Sequence, residues 1–308
     1  MPYVIVVGSA NYDLTVRLER LPAPGETVTG GEIYASFGGK GANQAVGARR
    51  AGAEVSFIAR VGQDEHGEAI VRNLLHCGLD TDGVVRDNDR PSGTALIMVD
   101  WQGRNMIAVA PGSNAYLTAD DVRGMERRIA QARTVLVQLE IPIQTVAATL
   151  AMAKAHGLRT ILDPAPARPL PNEILRLVDI LTPNEVEAEL LTGYAAGDEE
   201  GAGRAARDLL DRGCGEVLVT LGARGVLWAH PDGVELFPPL PVVAVDSTAA
   251  GDSFNGALGC ALAEGRAMRE AIRFASAAGA LAVTHRGAQT SLPTREEIER
   301  LLAQHTSS

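Results

Sequence analysis

Six short runs of apolar residues along the chain lack polar alternation, which is typical of strands covered on both faces of a sheet. The stretches between them show helical spacing of apolar positions. Strands that alternate with helices predict a doubly wound α/β fold, with a mainly parallel sheet flanked by helices. The predicted strands are Tyr3–Val7, Val55–Ala59, Val135–Leu139, Thr160–Leu162, Ile180–Leu181 and Val217–Leu221. The predicted helices between them are Lys40–Arg50, Glu65–His76, Ala119–Gln131, Ile143–His156 and Gly203–Arg212.

Two segments depart from this alternation. Glu26–Phe37 and Thr94–Val109 are rich in β-forming residues and have no helix within them. We expect antiparallel strands that project from the main sheet as a small β-lid over a cleft, contributed by about residues 14–37 and 94–109. A plain surface hairpin is the alternative.

The last third of the sequence has a helical pattern over Gly251–Glu264, Ala267–Thr284 and Arg295–His305. Thr294 is a candidate N-cap for the last of these helices. Ala195–Gly203 resembles a linker. We interpret residues 1–308 as a single domain, because α/β folds of this size often form one large core.

Composition narrows the class of protein. Hydrophobic residues make up 46% of the chain and charged residues 21%, which is enough apolar material for a core. The net charge is −10 and the basic residues are scattered, so nucleic acid is not an expected partner. Three cysteines without ligand spacing indicate reduced thiols, and we expect a cytoplasmic protein with neither a signal peptide nor a membrane span.

The segment from Asp246 to Phe254 joins an apolar run to a predicted helix. The N–H groups of Ala249, Ala250 and Gly251 can converge there on an anion. Asp252 follows in the first helical turn, where the negative charge of a carboxylate also interacts favourably with the helix dipole. A carboxylate beside a phosphate site repels the ligand unless it accepts a proton, so Asp252 is the candidate general base.

A glycine-rich segment around Lys40 is the second candidate site. It does not match a Walker A loop. Gly39 and Gly41 allow close backbone approach to a polar ligand, Lys40 offers a cation, and Asn43 offers an amide one turn later. A turn is the alternative interpretation.

Other polar residues follow predicted strands, where open α/β sheets bind ligands. Asn11 and Asp13 could bind vicinal hydroxyls, or could form an Asx turn. Glu140 could act at the same edge or cap the next helix.

Two further strand ends carry polar or glycine-rich segments. Asn184 and Glu187 could hold Mg²⁺, although helix capping is the interpretation that the residues alone favour. Thr220, Gly222 and Gly225 suit a nucleotide phosphate or a hairpin turn.

Taken together, these segments resemble the ribokinase-like family of carbohydrate kinases over almost the whole chain. The matching stretches are GSANYD, PAPGETVTG, FGGKGANQAVGARRAGA, LDPAPARPLP, LTPNEVEAELLTG, TLGARGV, DSTAAGDSFNGAL and HRGAQTSLP. The resemblance implies a doubly wound sheet with a β-lid that also serves as a homodimer clasp. It also implies ATP-dependent phosphorylation of a small sugar, with D-ribose and its 5-hydroxyl as the expected acceptor.

The resemblance also implies roles for individual residues. The sugar would be surrounded by Asn11, Asp13, Gly39, Lys40, Gly41, Asn43, Glu140 and Asp252. The anion hole would consist of Ala249, Ala250 and Gly251. The nucleotide would contact Asn184, Glu187, Thr220, Gly222, Gly225, Gly251 and Ser276, with Mg²⁺ held through Asn184 and Glu187. A K⁺ or similar monovalent activator would lie among Asp246, Thr248, Ala282, His285, Gly287 and Ser291.

Two positions depart from the usual family pattern. Ser247 replaces a threonine, and Ser276 stands where some members carry a larger polar side chain beside the adenine. The second departure leaves the nucleotide preference open.

Several other functions compete with this interpretation. A family kinase for 2-deoxyribose, fructose or a nucleoside is the nearest, although a nucleoside pocket calls for aromatic residues and these are only 4% of the chain. A sugar-binding regulator on the same fold is the rival from another class. A dinucleotide oxidoreductase is disfavoured because Gly8-Ser9-Ala10-Asn11 lacks the GxGxxG pattern.

Overall fold

The protein, seen here as a computed structural model, is described over residues 3–305 and contains two β-sheets and a set of flanking helices. The strands are β1 (Tyr3–Val7), β2 (Asn11–Leu18), β3 (Glu32–Gly38), β4 (Glu54–Gly62), β5 (Val84–Asp87), β6 (Gly93–Asp100), β7 (Asn105–Ala110), β8 (Thr134–Val137), β9 (Arg159–Leu162), β10 (Ile180–Leu181), β11 (Glu216–Thr220), β12 (Val226–His230) and β13 (Gly233–Phe237). The helices are α1 (Lys40–Arg50), α2 (Glu65–His76), α3 (Ala119–Arg123), α4 (Glu126–Ile129), α5 (Ile143–Ala155), α6 (Asn172–Leu175), α7 (Glu185–Thr192), α8 (Glu199–Asp211), α9 (Ala250–Ala263), α10 (Met268–Ala282) and α11 (Arg295–His305).

The main sheet has nine strands in the order β13-β12-β11-β10-β9-β8-β1-β4-β5. Its strands from β11 to β5 are parallel, and β12 and β13 add an antiparallel edge. The predicted doubly wound fold is therefore confirmed. The chain runs from β1 toward β4 and β5 and then returns to β8 on the other side of β1, which makes the carboxyl ends of β1 and β8 the switch point of the sheet.

The apolar strands separate two cores. Val4 and Val6 of β1 face α1, α9 and α10, together with Phe57 and Phe274. Ile5 and Val7 face the opposite layer, which contains α5, α7 and α8. Since successive side chains of a strand point to opposite faces, an apolar run without alternation gives this three-layer arrangement.

The second sheet forms the projecting lid, in the order β3-β2-β6-β7. The strand predicted over Glu26–Phe37 begins only at Glu32, because Gly30 and Gly31 both have positive φ. Strand β2, one of the two central lid strands, begins at Asn11, so the lid sheet starts beside the switch point of the main sheet. Large apolar side chains stay exposed on this sheet, with Ile33 68% and Ile107 57% accessible.

Two predicted elements differ from the structure. The helix expected over Ala119–Gln131 is divided into α3 and α4, because the first ends at Gly124, a residue of low helix propensity. The linker expected over Ala195–Gly203 is partly helical, since Asp198 caps α8 by accepting a hydrogen bond from the Gly201 N–H.

No helix within residues 3–305 combines the length and the apolar character that a membrane crossing requires.

Candidate functional site

A cavity of about 170 Å³ opens at the carboxyl edge of the main sheet. Strand ends and the start of α9 supply its wall, so residues far apart in sequence meet there. The lining residues are Lys40, Asp163, Thr182, Asn184, Glu187, Thr220, Ser247, Ala249, Ala250, Gly251, Asp252 and Asn255. The cavity therefore brings together the predicted anion hole, the predicted base and part of the predicted nucleotide site.

The start of α9 has the backbone of an anion site. Ala249 has φ 58° and ψ 14°. Among residues 3–305 no other residue except glycine has a positive φ. Such a conformation costs free energy at an alanine and is found at ligand sites. A Cβ on Gly251 would have no heavy atom within 4 Å, so open space lies in front of this backbone. The local geometry suits a phosphate group bound by backbone N–H groups.

Asp252 is 5% exposed, and both of its carboxylate oxygens are held by amides of α1. Asn43 Nδ2 donates to Oδ2 across 2.9 Å, and Gln44 Nε2 donates to Oδ1 across 3.1 Å. These two bonds fix the plane of the carboxylate beside the start of α9. A carboxylate oriented in this way can accept a proton from a hydroxyl that approaches from the cavity.

The glycines before and after Lys40 are required by close backbone contacts. Gly39 has φ 86°, and a Cβ there would lie 2.8 Å from Ala10 Cα. A Cβ on Gly41 would lie 2.6 Å from the backbone of Ser9. The segment thus packs against the chain that leaves β1, and it directs Lys40 into the cavity.

Glu140 lies at the same edge, and its carboxylate is hydrogen-bonded to neighbouring residues. Its Oε2 accepts hydrogen bonds from the Ser9 hydroxyl and from the Lys40 backbone N–H. The carboxylate therefore fastens the glycine-lysine segment to the end of β1.

Asn11 and Asp13 lie on β2, where the lid leaves the switch point. The Asn11 Oδ1 accepts a 2.8 Å hydrogen bond from Asn114 Nδ2, which sets the orientation of the Asn11 amide. Asp13 Oδ1 is buried with no hydrogen-bond partner. Burial and the nearby Glu140 raise the pKa of Asp13 to about 6. An unpartnered buried carboxylate oxygen is suited to a ligand hydroxyl.

Asn184 and Glu187 form a capping box at the start of α7. Asn184 N–H donates to Glu187 Oε2 across 2.8 Å, and Glu187 N–H donates to Asn184 Oδ1 across 2.9 Å. Burial also raises the pKa of Glu187 above its usual value. The two residues therefore do cap the helix, as the alternative interpretation expected. Both side chains also line the cavity with oxygen atoms.

Three predicted nucleotide contacts do not line this cavity. Gly222 and Gly225 form the connection between β11 and β12, so the hairpin alternative describes their local structure. Ser276 lies on α10, with its Oγ buried and without a partner. The other predicted nucleotide contacts, Asn184, Glu187, Thr220 and Gly251, do line the cavity.

The predicted monovalent-cation residues lie beside the start of α9. Asp246 Oδ1 accepts hydrogen bonds from the Thr248 N–H and hydroxyl, and Oδ2 accepts a 3.0 Å bond from the Gly287 N–H. Burial alone would raise the pKa of Asp246, but these hydrogen bonds hold it below its usual value. Asp246 thereby joins the segment before the anion site to the segment that follows α10. Ala282 is the last residue of α10, His285 and Gly287 follow it, and Ser291 ends a short 3₁₀ helix.

Lys40 faces several carboxylates across the cavity. Its Nζ lies 4.0 Å from Asp163 Oδ2. Burial would lower the pKa of Lys40, yet Asp163, Asp252 and Glu140 outweigh it and keep the ammonium charged. Burial raises the pKa of Asp163, and Lys40 opposes that rise.

Sequence reasoning missed several residues of the site. Gln44 follows Asn43 in the glycine-lysine segment, and Asp163 begins the DPAPARP stretch after β9. Asn114 lies in a 3₁₀ turn that follows the lid. The position of Asp163 after an apolar strand was an available signal, whereas Asn114 had none.

Comparison with known proteins gives a consistent result. Residues 1–295 match the family described as pfkB family carbohydrate kinase. A ribokinase of Haemophilus influenzae is 43% identical over 292 residues, covering 95% of each chain. A deoxyribokinase of Salmonella typhi is 33% identical and covers 97% of this chain and 98% of its own. The structure of an Arabidopsis thaliana ribokinase complexed with ribose and ATP superposes with a TM-score of 0.89, at 35% identity and 98% coverage of both chains.

Proposed function

Because the chain belongs to the pfkB family of carbohydrate kinases, we propose that it transfers the γ-phosphate of ATP to the 5-hydroxyl of D-ribose. One observation carries this proposal: a buried carboxylate, Asp252, stands beside the backbone anion site of Ala249–Gly251 with both oxygens held by amides. A general base next to a phosphate site is the arrangement that phosphoryl transfer to a hydroxyl requires.

The sugar binds between the main sheet and the lid. The Asn11 amide N–H donates to one sugar hydroxyl and the Asp13 carboxylate accepts from another. The unpartnered Asp13 Oδ1 supports this role. Gly39 and Gly41 let the backbone approach the ring, and Lys40, Asn43 and Glu140 complete the polar wall. Such contacts hold the reacting hydroxyl near Asp252, so that attack is effectively unimolecular.

During transfer, Asp252 takes the proton of the 5-hydroxyl as its oxygen forms a bond to phosphorus. The bond between that phosphorus and the bridging oxygen of ADP breaks, and the electron pair leaves with ADP. The N–H groups of Ala249, Ala250 and Gly251 stabilise the charge on the equatorial phosphoryl oxygens, as preorganised dipoles do in such reactions.

The nucleotide binds along the strand ends with Asn184, Glu187, Thr220 and the start of α9. Gly222, Gly225 and Ser276 belong to its more distant contacts. Glu187 and Asn184 offer the hard oxygen atoms that Mg²⁺ prefers, and the raised pKa of the half-buried Glu187 fits a carboxylate that gains from a nearby cation. When bound, Mg²⁺ neutralises charge on the phosphates of ATP.

A K⁺ or similar monovalent ion acts as an activator beside Asp246 and Thr248. The hydrogen bond from Gly287 to Asp246 supports this assignment, because it joins the two segments whose oxygens would surround the ion. The remaining ligands are Ala282, His285, Gly287 and Ser291, several through backbone carbonyls. An ion there would order the segment that carries the anion site.

The chain acts as a single domain, with a lid of about residues 14–37 and 94–109. A second copy covers the exposed apolar side chains of that lid to give a homodimer, because such side chains rarely remain open to water over a large area. The three free cysteines support action in the cytoplasm.

Other small-sugar kinases are the main alternative. The deoxyribokinase relative at 33% identity favours 2-deoxyribose as the second candidate substrate. Fructose has less support, and the intact base and anion site argue against a non-catalytic sugar-binding regulator.

A panel assay tests the proposed function. ATP consumption is measured with D-ribose, 2-deoxyribose, fructose and a nucleoside, and the product of each reaction is located by ³¹P NMR. We expect kcat/KM for ribose to exceed that for 2-deoxyribose by about five-fold or more, since a missing hydroxyl leaves buried polar groups unpaired at a cost of about 1–3 kcal/mol. Equal turnover of the two sugars, or no turnover of ribose, would overturn the proposal.

A further inference from the structure

A chain of buried amides and carboxylates lies behind the catalytic base. Gln138 Nε2 donates to Gln44 Oε1 across 2.5 Å. Gln44 Nε2 then donates to Asp163 Oδ2 across 2.7 Å as well as to Asp252 Oδ1 across 3.1 Å. Gln44 and Gln138 are fully buried, and Asp163 is 5% exposed.

The hydrogen-bonding capacity of Gln44 explains its orientation. A primary amide has two N–H hydrogens, and here one points to each carboxylate while the amide oxygen accepts from Gln138. A flipped amide would place its oxygen against the oxygens of Asp163 and Asp252. Two acceptors on one side therefore hold the amide more firmly than Asp252 alone could.

Asp163 is anchored on the sheet. It follows β9 directly, its backbone N–H donates to the Val137 carbonyl across 3.0 Å, and Pro164 restricts the backbone conformation of Asp163 itself. Asp252, by contrast, lies in the first turn of a helix whose N-cap is the strained Ala249. The Gln44 amide thus connects the base to a rigid part of the molecule.

We infer that Asp163 is a positioning residue for phosphoryl transfer, which anchors the Gln44 amide so that this amide orients the Asp252 carboxylate. The inference rests on the proposed function and deepens it. Asp163 also lies 4.0 Å from Lys40 Nζ, so a role through charge alone is the competing explanation. The two explanations differ in what they require of position 163, an acceptor atom in the first case and a negative charge in the second.

The test compares Asp163→Ala with Asp163→Asn. Asparagine keeps an oxygen that can accept from Gln44 but carries no charge. We expect Asp163→Ala to lower kcat by about ten-fold to a hundred-fold, in keeping with small displacements of a catalytic group, while KM for ribose and ATP changes less than about three-fold. Asp163→Asn should recover most of kcat. An asparagine variant as slow as the alanine variant would overturn the positioning role, as would an alanine variant with unchanged kcat.

A double-mutant cycle adds a second criterion. Because Asp163 acts through Gln44, the pair Asp163→Ala and Gln44→Met should be no slower than Gln44→Met alone. A double variant whose loss of kcat equals the product of the two single losses would contradict this. Should Asp163→Ala fail to fold in a thermal-unfolding measurement, Asp163→Leu replaces it, because leucine has the same branched shape without an acceptor.

The control is Asp179→Asn. Asp179 accepts from the Thr160 N–H at the opposite end of β9, far from the cavity. This variant should unfold at a lower temperature with kcat unchanged, and a loss of kcat equal to that of Asp163→Ala would overturn the assignment to Asp163. Wild-type turnover of the sugar panel is measured in the same assay, so a failure of the proposed substrate is seen in the wild type and a failure of the positioning role only in the variants.

Discussion

Asn43 Nδ2 donates a hydrogen bond to Asp252 Oδ2 across 2.9 Å, although 209 positions separate the two residues. The contact joins the glycine-lysine segment at the start of α1 to the anion site at the start of α9. It exists because α1 and α9 approach closely at a glycine: a Cβ on Gly256 would lie 2.6 Å from Ala48 N and 2.7 Å from Gln44 O. The geometry of the base therefore depends on a helix contact one turn away.

The first prediction concerns this helix contact. Gly256→Ala forces α1 and α9 apart, because the atoms that a Cβ would meet belong to the backbone. We expect a loss of about 1–3 kcal/mol in the free energy of unfolding, typical of overpacking, together with a fall in kcat as Asn43 and Gln44 move from Asp252. Chemical denaturation and steady-state kinetics measure the two effects.

Gly251→Ala is the matched variant, because Gly251 lies on the same helix but not at its contact with α1. Its Cβ would meet no heavy atom within 4 Å, so the fold should keep or slightly gain stability. The methyl group would enter the space in front of the anion site, and KM for ATP should rise. Equal stability losses in the two variants would contradict the helix-contact account.

The second prediction is the pH dependence set by Asp13. Its pKa is raised from 3.8 to about 6, so the folded protein binds more protons than the unfolded chain between these values. Asp13 therefore contributes stability that is present below about pH 4 and is lost as the pH rises through about 6. Asp13→Asn removes that loss. Its free energy of unfolding, compared with that of the wild type, should therefore be about 1–3 kcal/mol more favourable at pH 7.5 than at pH 4.

Urea denaturation of ligand-free protein at several pH values measures this difference. Asp232→Asn, which replaces an almost fully exposed carboxylate, is the control and should follow the wild type. Ribose affinity of the wild type should fall as the pH drops below 6, because the neutral carboxyl accepts hydrogen bonds less well. Parallel stability curves for wild type and Asp13→Asn would count against a buried, ligand-facing Asp13.

The third prediction is activation by a monovalent cation. Rates in Tris or tetramethylammonium buffer should rise several-fold on addition of K⁺, through kcat or ATP affinity, because the ion orders the segment that carries Ala249–Gly251. Asp246→Ala should abolish the response, since it loses the bond to Gly287. Unchanged rates at saturating Mg²⁺-ATP and ribose would mean that Asp246 only caps its turn.

The fourth prediction concerns the lid. The 32.3 kDa chain should elute as a dimer in size-exclusion chromatography with light scattering. Ile107→Lys places a charge on the exposed face of the lid and should give a monomer. Leu75→Lys changes a comparably exposed apolar residue on α2 and should leave the dimer intact. A monomeric wild type would refute the lid as an interface.

Much of this arrangement could be predicted from the sequence. Unalternated apolar runs such as Tyr3–Val7 indicated buried parallel strands, and the boundaries of α1 and α2 agree with the pattern of their apolar residues. The small residues before Asp252 indicated the anion site, because only small side chains let a ligand come close to the backbone there.

The remainder depends on contacts that no local pattern encodes. Gln44 lies on α1, Gln138 follows β8 and Asp163 follows β9, and only the packed fold reveals that one amide serves two carboxylates. Asn114 is a similar case, since its bond to Asn11 spans 103 positions. The division between α3 and α4 was missed because an apolar spacing continues across Gly124, where the helix ends.

The most direct test of the account is the kinetics of Asp252→Asn. The asparagine is nearly isosteric and can still bind the neighbouring amides in part, but it cannot take a proton from the sugar hydroxyl. We expect kcat with ribose and ATP to fall by about 10²–10⁴-fold, the range for loss of a general base, while the ribose dissociation constant and the unfolding temperature stay close to wild type. A kcat within a few-fold of wild type would contradict the role of Asp252 as the base.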